Sequence, residues 1–425
     1  NDFGYSADIA DNGVAVVGEY QGSSGFTSQG KAYIYRWSGS AYVLEDTITK
    51  PSPTSYDWFG HGVATDGDFV AVGARQDEDC GGTDEGSITV FQYPGSGTDW
   101  GSGTLLCYSG GTSNDDWGYR VALHDGVLLA SSIFADGNKG RVTSWKWTGS
   151  AWSSRGTLQP ADAAASDFFG SEISMGTNFM AAKSNVGAYA ASWDGTNWGT
   201  VTKLAVPSID ETGVSSVATY GDYVIVGCSG HDRVSPSTTN SGIVYKFKWT
   251  GSVWEGPTSY YASDYSAQSY FGGMVGIWGL ETAIGAWYEG DNSGTVYHYD
   301  DMLEVPTATP TASPSASPTS SPTKSPTPPT PAPTNSPSAS PTASPSASPT
   351  ASPTPFIGWV EDNGSLQPSD LVDSDVFGRG MSHSGDKLMV GAPNNQFGSY
   401  PGRVFAYLWN EGTGQWDMTD EFSPS

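Results

Sequence analysis

Two short signals recur in fixed order along this chain, and their spacing constrains the fold more than any other feature. The first is an aromatic-Gly pair followed by an apolar strand: Phe3-Gly4, Phe59-Gly60, Trp117-Gly118, Phe169-Gly170, Phe271-Gly272 and Phe377-Gly378, with a degenerate copy near Gly213. The second is a glycine that opens an alternating strand: Gly30, Gly86, Gly140, Gly187, Gly242, Gly294 and Gly402. The seven glycines are spaced by 56, 54, 47, 55, 52 and 108 residues. A fixed period of this length marks an array of supersecondary units that bury their apolar faces against one another.

Each unit predicts four short strands. A second apolar strand is plain in Phe69 to Ala74, Tyr223 to Gly227 and Leu388 to Pro393. A third, such as Val244 to Phe247, turns through Thr250-Gly251-Ser252 into a fourth that begins at Trp254, and Trp147 to Trp152 repeats that turn. Composition agrees: 55 Gly, 16 Trp and 22 Tyr with only 15% charged residues describe a turn-rich, aromatic-rich β chain. The expected fold is all-β, a seven-bladed β-propeller of four-stranded blades.

One segment stands apart. Residues 306–355 hold 16 Pro and 24 Ser/Thr with a single Lys, and cannot bury a core. Regular Pro predicts an extended polyproline II stalk, about 155 Å long if fully extended at about 3.1 Å per residue. Removing these 50 residues from the 108-residue interval leaves 58, so the stalk interrupts blade six. Leu366-Gln367-Pro368 repeats Leu158-Gln159-Pro160, which places the missing fourth strand of blade six around Trp359 to Gln367. Three parts follow: 1–305 with blades one to five and three strands of blade six, the 306–355 stalk, and 356–425 with the last strand of blade six and blade seven.

At Phe59-Gly60 with Val72-Gly73-Ala74, and at Phe377-Gly378 with Val390 to Pro393, the sequence resembles the FG-GAP repeat family, whose repeats build the propeller of integrin α subunits and of many secreted proteins. The resemblance covers nearly everything outside the stalk. Integrin-type blades often carry a D-x-D-x-D-G calcium loop, and no copy here has that pattern.

Little catalytic chemistry is legible. The five histidines, His61, His124, His231, His298 and His383, fall at no metal-ligand spacing, and no nucleophile-elbow, zincin, Walker or dinucleotide pattern occurs. No enzyme is expected, and blade packing accounts for His61 and His383 as well as catalysis would. Asp77, Asp79 and Asp84 offer carboxylate oxygens of the kind that hold Ca2+, as do Glu289 and Asp291, though solvated loop charge explains them more simply. The Asp before several aromatic-Gly pairs (Asp2, Asp57, Asp116, Asp167, Asp375) is expected to make an Asx turn opening the first strand. Cys80 and Cys107 fall at one end of blade two, where a disulfide would close about 28 residues and contribute about 3.5 kcal/mol. Cys228 is left as a buried thiol.

The charge balance excludes some partners. With 18 basic against 45 acidic residues, a formal charge of −27 and a pI near 4.2, nucleic acid and anionic membrane surfaces are poor ligands. No apolar run is long enough for a membrane-spanning helix. The start at Asn1, without Met or an apolar leader, fits a processed chain or a fragment. Ser and Thr beside Pro at this density read as an O-glycosylated stalk, with carriers expected at Thr307, Thr311, Ser313, Ser317, Thr323, Thr327, Ser340, Thr342, Ser348, Thr350 and Thr354. Asn363 adds an N-glycosylation sequon. An extracellular setting follows.

The insertion decides the functional expectation. It leaves the third strand of blade six, Val296 to Tyr299 with Tyr297 between, as an edge that needs a partner. Trp359 and Leu366 lie in the segment that pairs with it, from the same chain or from another copy. A stiff stalk favours another copy, hence a head-to-tail filament of an extracellular structural glycoprotein. The rival is a monomeric, integrin-like adhesion or ligand-binding propeller, with Ca2+ as its metal.

Overall fold

The second strand of each repeat is apolar through its middle because both of its faces are covered. In the computed structural model Val14–Glu19, Phe69–Ala74 and Val127–Ser132 are buried throughout. A strand packed on both sides reads as a continuous run. Fourth strands such as Tyr42–Ile48 and Trp254–Tyr260 mix exposed and buried positions, as an outer edge should. The structure describes residues 2–234, 237–263, 266–279, 281–288, 293–300, 360–361, 365–369, 371, 375–393 and 402–424.

Seven antiparallel four-stranded sheets follow one another, each with its strands in chain order. Blade one is Ala7–Ile9, Val14–Glu19, Lys31–Trp37 and Tyr42–Ile48, and blades two to five span 59–106, 121–158, 172–203 and 216–260. Blade six takes Phe271–Trp278, Glu281–Ala286 and Thr295–Asp300 from before the insertion and Val360–Glu361 from after it. Blade seven is Gly380–Ser384, Lys387–Ala392, Arg403–Asn410 and Gln415–Phe422. The propeller is one compact unit, Asn1–Asp301 with Trp359–Ser425, while the stalk expected at 306–355 lies outside the described residues.

The core lies between blades. Val14, Val16 and Ile34 of blade one pack on Phe59, Val63 and Val70 of blade two. Phe3, Val17 and Tyr33 meet Met389, Val404 and Phe422 where the ring closes. Both sequence anchors serve this packing. A Cβ on Gly73 would lie 2.1 Å from the carbonyl oxygen of Gly118, the glycine of the next blade's aromatic-Gly pair. Gly86, at φ +88°, would place a Cβ 2.1 Å from the Trp117 carbonyl oxygen. Only glycine allows backbones of adjacent blades to approach so closely.

Aromatic pairs close the outer hairpins. Trp147 faces Trp152 and Trp249 faces Trp254 across the last two strands, with ring centroids 5.7 and 5.3 Å apart. Each pair holds a Phe from the preceding blade, Phe69 for the first and Phe179 for the second. These tilted and edge-on contacts add to the area they bury.

The candidate assembly seam

Ring closure needs no shared strand between the first and last blades. All of blade one comes from residues 7–48 and all of blade seven from residues 380–422. Side chains hold that seam: Ser382 Oγ donates to Asp8 Oδ1 at 2.6 Å, the Tyr42 amide donates to Asp420 Oδ2 at 3.0 Å, and Tyr35 packs on Phe422. Burial raises the Asp8 carboxyl to about 6, although Ser382 and the Thr65 amide favour its ionised form.

The shared strand lies instead in blade six. Tyr299 is registered with Glu361 and Asp300 with Val360. Val296 and Leu366 exchange both backbone hydrogen bonds, at 3.1 and 2.7 Å. Alternation along Thr295–Asp300 then sends its side chains to two different seams. Val296 and His298 face blade seven, whereas Tyr297 and Tyr299 are buried toward blade five, where both meet Phe271 and Tyr299 donates to the Tyr261 carbonyl. Of the expected pairing residues Val296, Tyr297, Tyr299 and Leu366 are placed, and Trp359 lies outside the described residues. So do Asn363 and every stalk Ser and Thr named as a glycan carrier.

At the seam between blades six and seven an acidic residue takes a position that is aromatic in some other blades. Where blades two and four begin their second strands with Phe69 and Phe179, blade six begins with Glu281. Its carboxylate lies 3.8 Å from His298 Nε2 and 3.4 Å from His383 Nε2. Both imidazoles are buried against Trp416, and His298 also against Trp409. Burial opposes the charge on Glu281, but the imidazoles facing it hold its carboxyl down to about 2. Burial lowers His383 below its ordinary value. Reading Glu281 against the register of Phe69 was the signal that could have found this cluster in the sequence.

The acidic loop of blade two already holds a cation of its own. Lys50 Nζ sits 3.1 Å from Asp57 Oδ2 and 3.1 Å from Asp79 Oδ2, and also contacts Asp77. This buried ammonium already neutralises the carboxylates of Asp77 and Asp79 that the sequence offered as candidate Ca2+ ligands. Asp84 stays apart at φ +47°. Among the described residues no group of three or more His, Cys, Asp or Glu is placed to hold a metal ion. Glu289 and Asp291 lie outside them. Cys80 and Cys107 are joined by a disulfide with their Cα atoms 5.4 Å apart, and Cys228 is a buried free thiol whose ionisation burial opposes.

The Asp residues near the aromatic-Gly pairs act differently from the expected Asx turn. Asp57 accepts from Thr54 N and Oγ1, Asp115 from Thr112 N and Oγ1, and Asp167 from Ala164 N. The carboxylate therefore closes the turn before it. In blade three Asp115 has this role, and Asp116 pairs with Arg75. His61 is buried, with Nδ1 at 2.9 Å from the Tyr119 carbonyl oxygen of the next blade.

Residues 42–91 match the FG-GAP repeat family. No curated protein matches the chain. Similar solved structures include Hsv2 of Kluyveromyces lactis with its complete loop 6CD (9% identity, TM-score 0.48), a KlHsv2 with that loop replaced by a Gly-Ser linker (10%, 0.49) and Kluyveromyces marxianus Hsv2 (9%, 0.47). Each alignment covers 100% of this chain and 99% of the other. The chain is thus a seven-bladed β-propeller of four-stranded blades in which residues 42–91 carry an FG-GAP repeat.

Proposed function

We propose that this chain is the structural subunit of an extracellular glycoprotein filament, assembled head to tail when residues 356–425 of one copy complete the propeller of the next. One observation carries the reading. The module made of Val360–Glu361 and blade seven is held on both sides by packing and hydrogen bonds alone, because the ring closes without a strand shared between blades one and seven. Its single covalent tie to the other blades runs through residues 301–359, since Cys80 and Cys107 both belong to blade two.

An interface that forms within a chain forms equally well between two copies, and the connector decides which. A flexible 59-residue connector would favour closure within one chain, adding only about 2 kcal/mol over a four-residue turn. A Pro-rich stalk clothed in sugar resists folding back and favours donation. Residues 306–355 would carry O-linked glycans at Thr307 to Thr354, with Asn363 N-glycosylated. FG-GAP repeats occur in extracellular proteins, and among the described residues no helix is long and apolar enough to cross a membrane.

The second reading is a monomeric propeller of adhesive or ligand-binding role. Pairing of Tyr299 with Glu361 inside one chain favours it.

The test is the size and image of the glycosylated, secreted chain. Filaments of propeller heads joined by stalks are expected, and replacing 301–359 by a four-residue turn should yield monomers. A full-length monomer with blade seven seated in its own ring would overturn the filament.

A further inference from the structure

The axial channel is electrically divided, and one mouth runs against the charge of the whole chain. Asp11, Asp66 and Asp125 stand around the channel at the far ends of the first strands of blades one, two and three. At the near ends, beside the aromatic-Gly pairs, Arg120, Lys183 and Arg379 gather around Tyr5. Arg120 lies 5.3 Å from the Tyr5 ring and its guanidinium donates to the Tyr5 hydroxyl at 3.4 Å. Arg379 lies 5.7 Å from the same ring and 5.6 Å from Trp287.

One carboxylate answers these three cations. Glu172 pairs with Arg120 at 3.0 Å and is the cross-strand neighbour of Lys183. Neither Lys183 nor Arg379 makes an ion pair among the described residues. Arg75 and Asp116 form a neutral pair at the rim, with the guanidinium over Trp58, and Asp2 is engaged by the Tyr20 hydroxyl. The chain as a whole carries a net charge of −27, so a cationic surplus at this mouth runs against its overall balance.

Lys183 shows that the excess is local to this fold. It occupies the strand register held by Gly18, Gly73, Gly227, Gly285 and Gly391 in other blades. Those glycines lie against a following aromatic-Gly pair, which blade five lacks, so a long side chain fits only here. Arg120 lowers the Tyr5 hydroxyl and burial lowers Lys183, as expected of a half-buried cationic site.

We propose that this mouth binds a carboxylate-bearing sugar, a uronic acid of monosaccharide size. The site opens into the axial channel, which Tyr5, Arg120 and Glu172 line at this end and which encloses about 300 Å³. Arg379 and Lys183 supply charge for the carboxylate, Glu172 is an acceptor for hydroxyl groups, and the rings of Tyr5, Tyr119 and Trp287 wall the site. Assembly through blade seven is a separate matter, and this site does not depend on it.

Titration calorimetry of the full secreted chain with glucuronate, galacturonate, glucose and sulfate tests the assignment. A uronate should bind saturably and weaken with salt, glucose should not bind, and Arg379→Gln or Lys183→Gln should weaken uronate binding about tenfold or more, whereas Arg379→Lys keeps part of it. Unchanged melting temperatures separate loss of the site from loss of the fold. Absence of uronate binding, equal affinity for glucose, sulfate binding as tight as uronate, or full affinity in Arg379→Gln would each overturn it.

Discussion

Ser382 Oγ donates to Asp8 Oδ1 at 2.6 Å across 374 positions of sequence, joining the last blade to the first. Burial raises the folded Asp8 carboxyl to about 6, above the ordinary aspartate value of about 3.9. Between those values the folded state binds more protons than the unfolded one, so the Asp8 contribution falls as pH rises through that window. Asp8→Asn should therefore gain about 1 to 3 kcal/mol relative to the parent between pH 4 and pH 7, measured by denaturant unfolding at each pH.

The seam between blades six and seven responds in the opposite sense. His383 and Glu281 both have lowered folded values, so the unfolded state takes up protons first as the solution is acidified. The contribution of His383 is complete above its ordinary value of about 6.5 and is lost below it, and that of Glu281 follows below about 4.5. Melting temperature should drop between pH 7 and pH 5, and His383→Gln should flatten that drop. An unchanged slope in the variant would remove His383 from the account.

Lys50 is enclosed by Asp57, Asp77 and Asp79. Lys50→Met leaves two buried carboxylates without their cation and should cost about 3 to 5 kcal/mol in urea unfolding. Adding Asp77→Asn should recover part of the loss, which a purely steric effect of Met would not allow.

Loss of the Cys80–Cys107 bond through paired Ser substitutions should cost about 3.5 kcal/mol, because the unfolded chain regains the freedom of a loop of about 28 residues. Cys228 should stay unreactive toward a soluble thiol reagent until the protein unfolds, as counted by labelling with and without denaturant.

Peptides covering 306–355 from the secreted protein should be heavier than their sequence by many sugar residues, read by mass spectrometry before and after deglycosylation. An unmodified mass would remove the stiffness that favours donation between copies.

Much of the architecture was legible because a repeat writes the same physical demand several times. Phe59-Gly60 and Val72-Gly73-Ala74 are visible in sequence since each blade must let a neighbouring backbone approach its own, and glycine alone permits it. The 108-residue interval located the stalk in blade six, and Leu366 was placed as part of the returning strand by its likeness to Leu158. What tertiary structure decided is which side chains meet across a seam. Lys50 reaches acidic groups up to 29 positions away, His298 and His383 meet across the insertion, and Arg379 meets Tyr5 from the other end of the chain. Period and glycine placement are local constraints that every blade repeats. Charge pairing in a closed ring is a property of positions far apart in sequence, and no single repeat carries it.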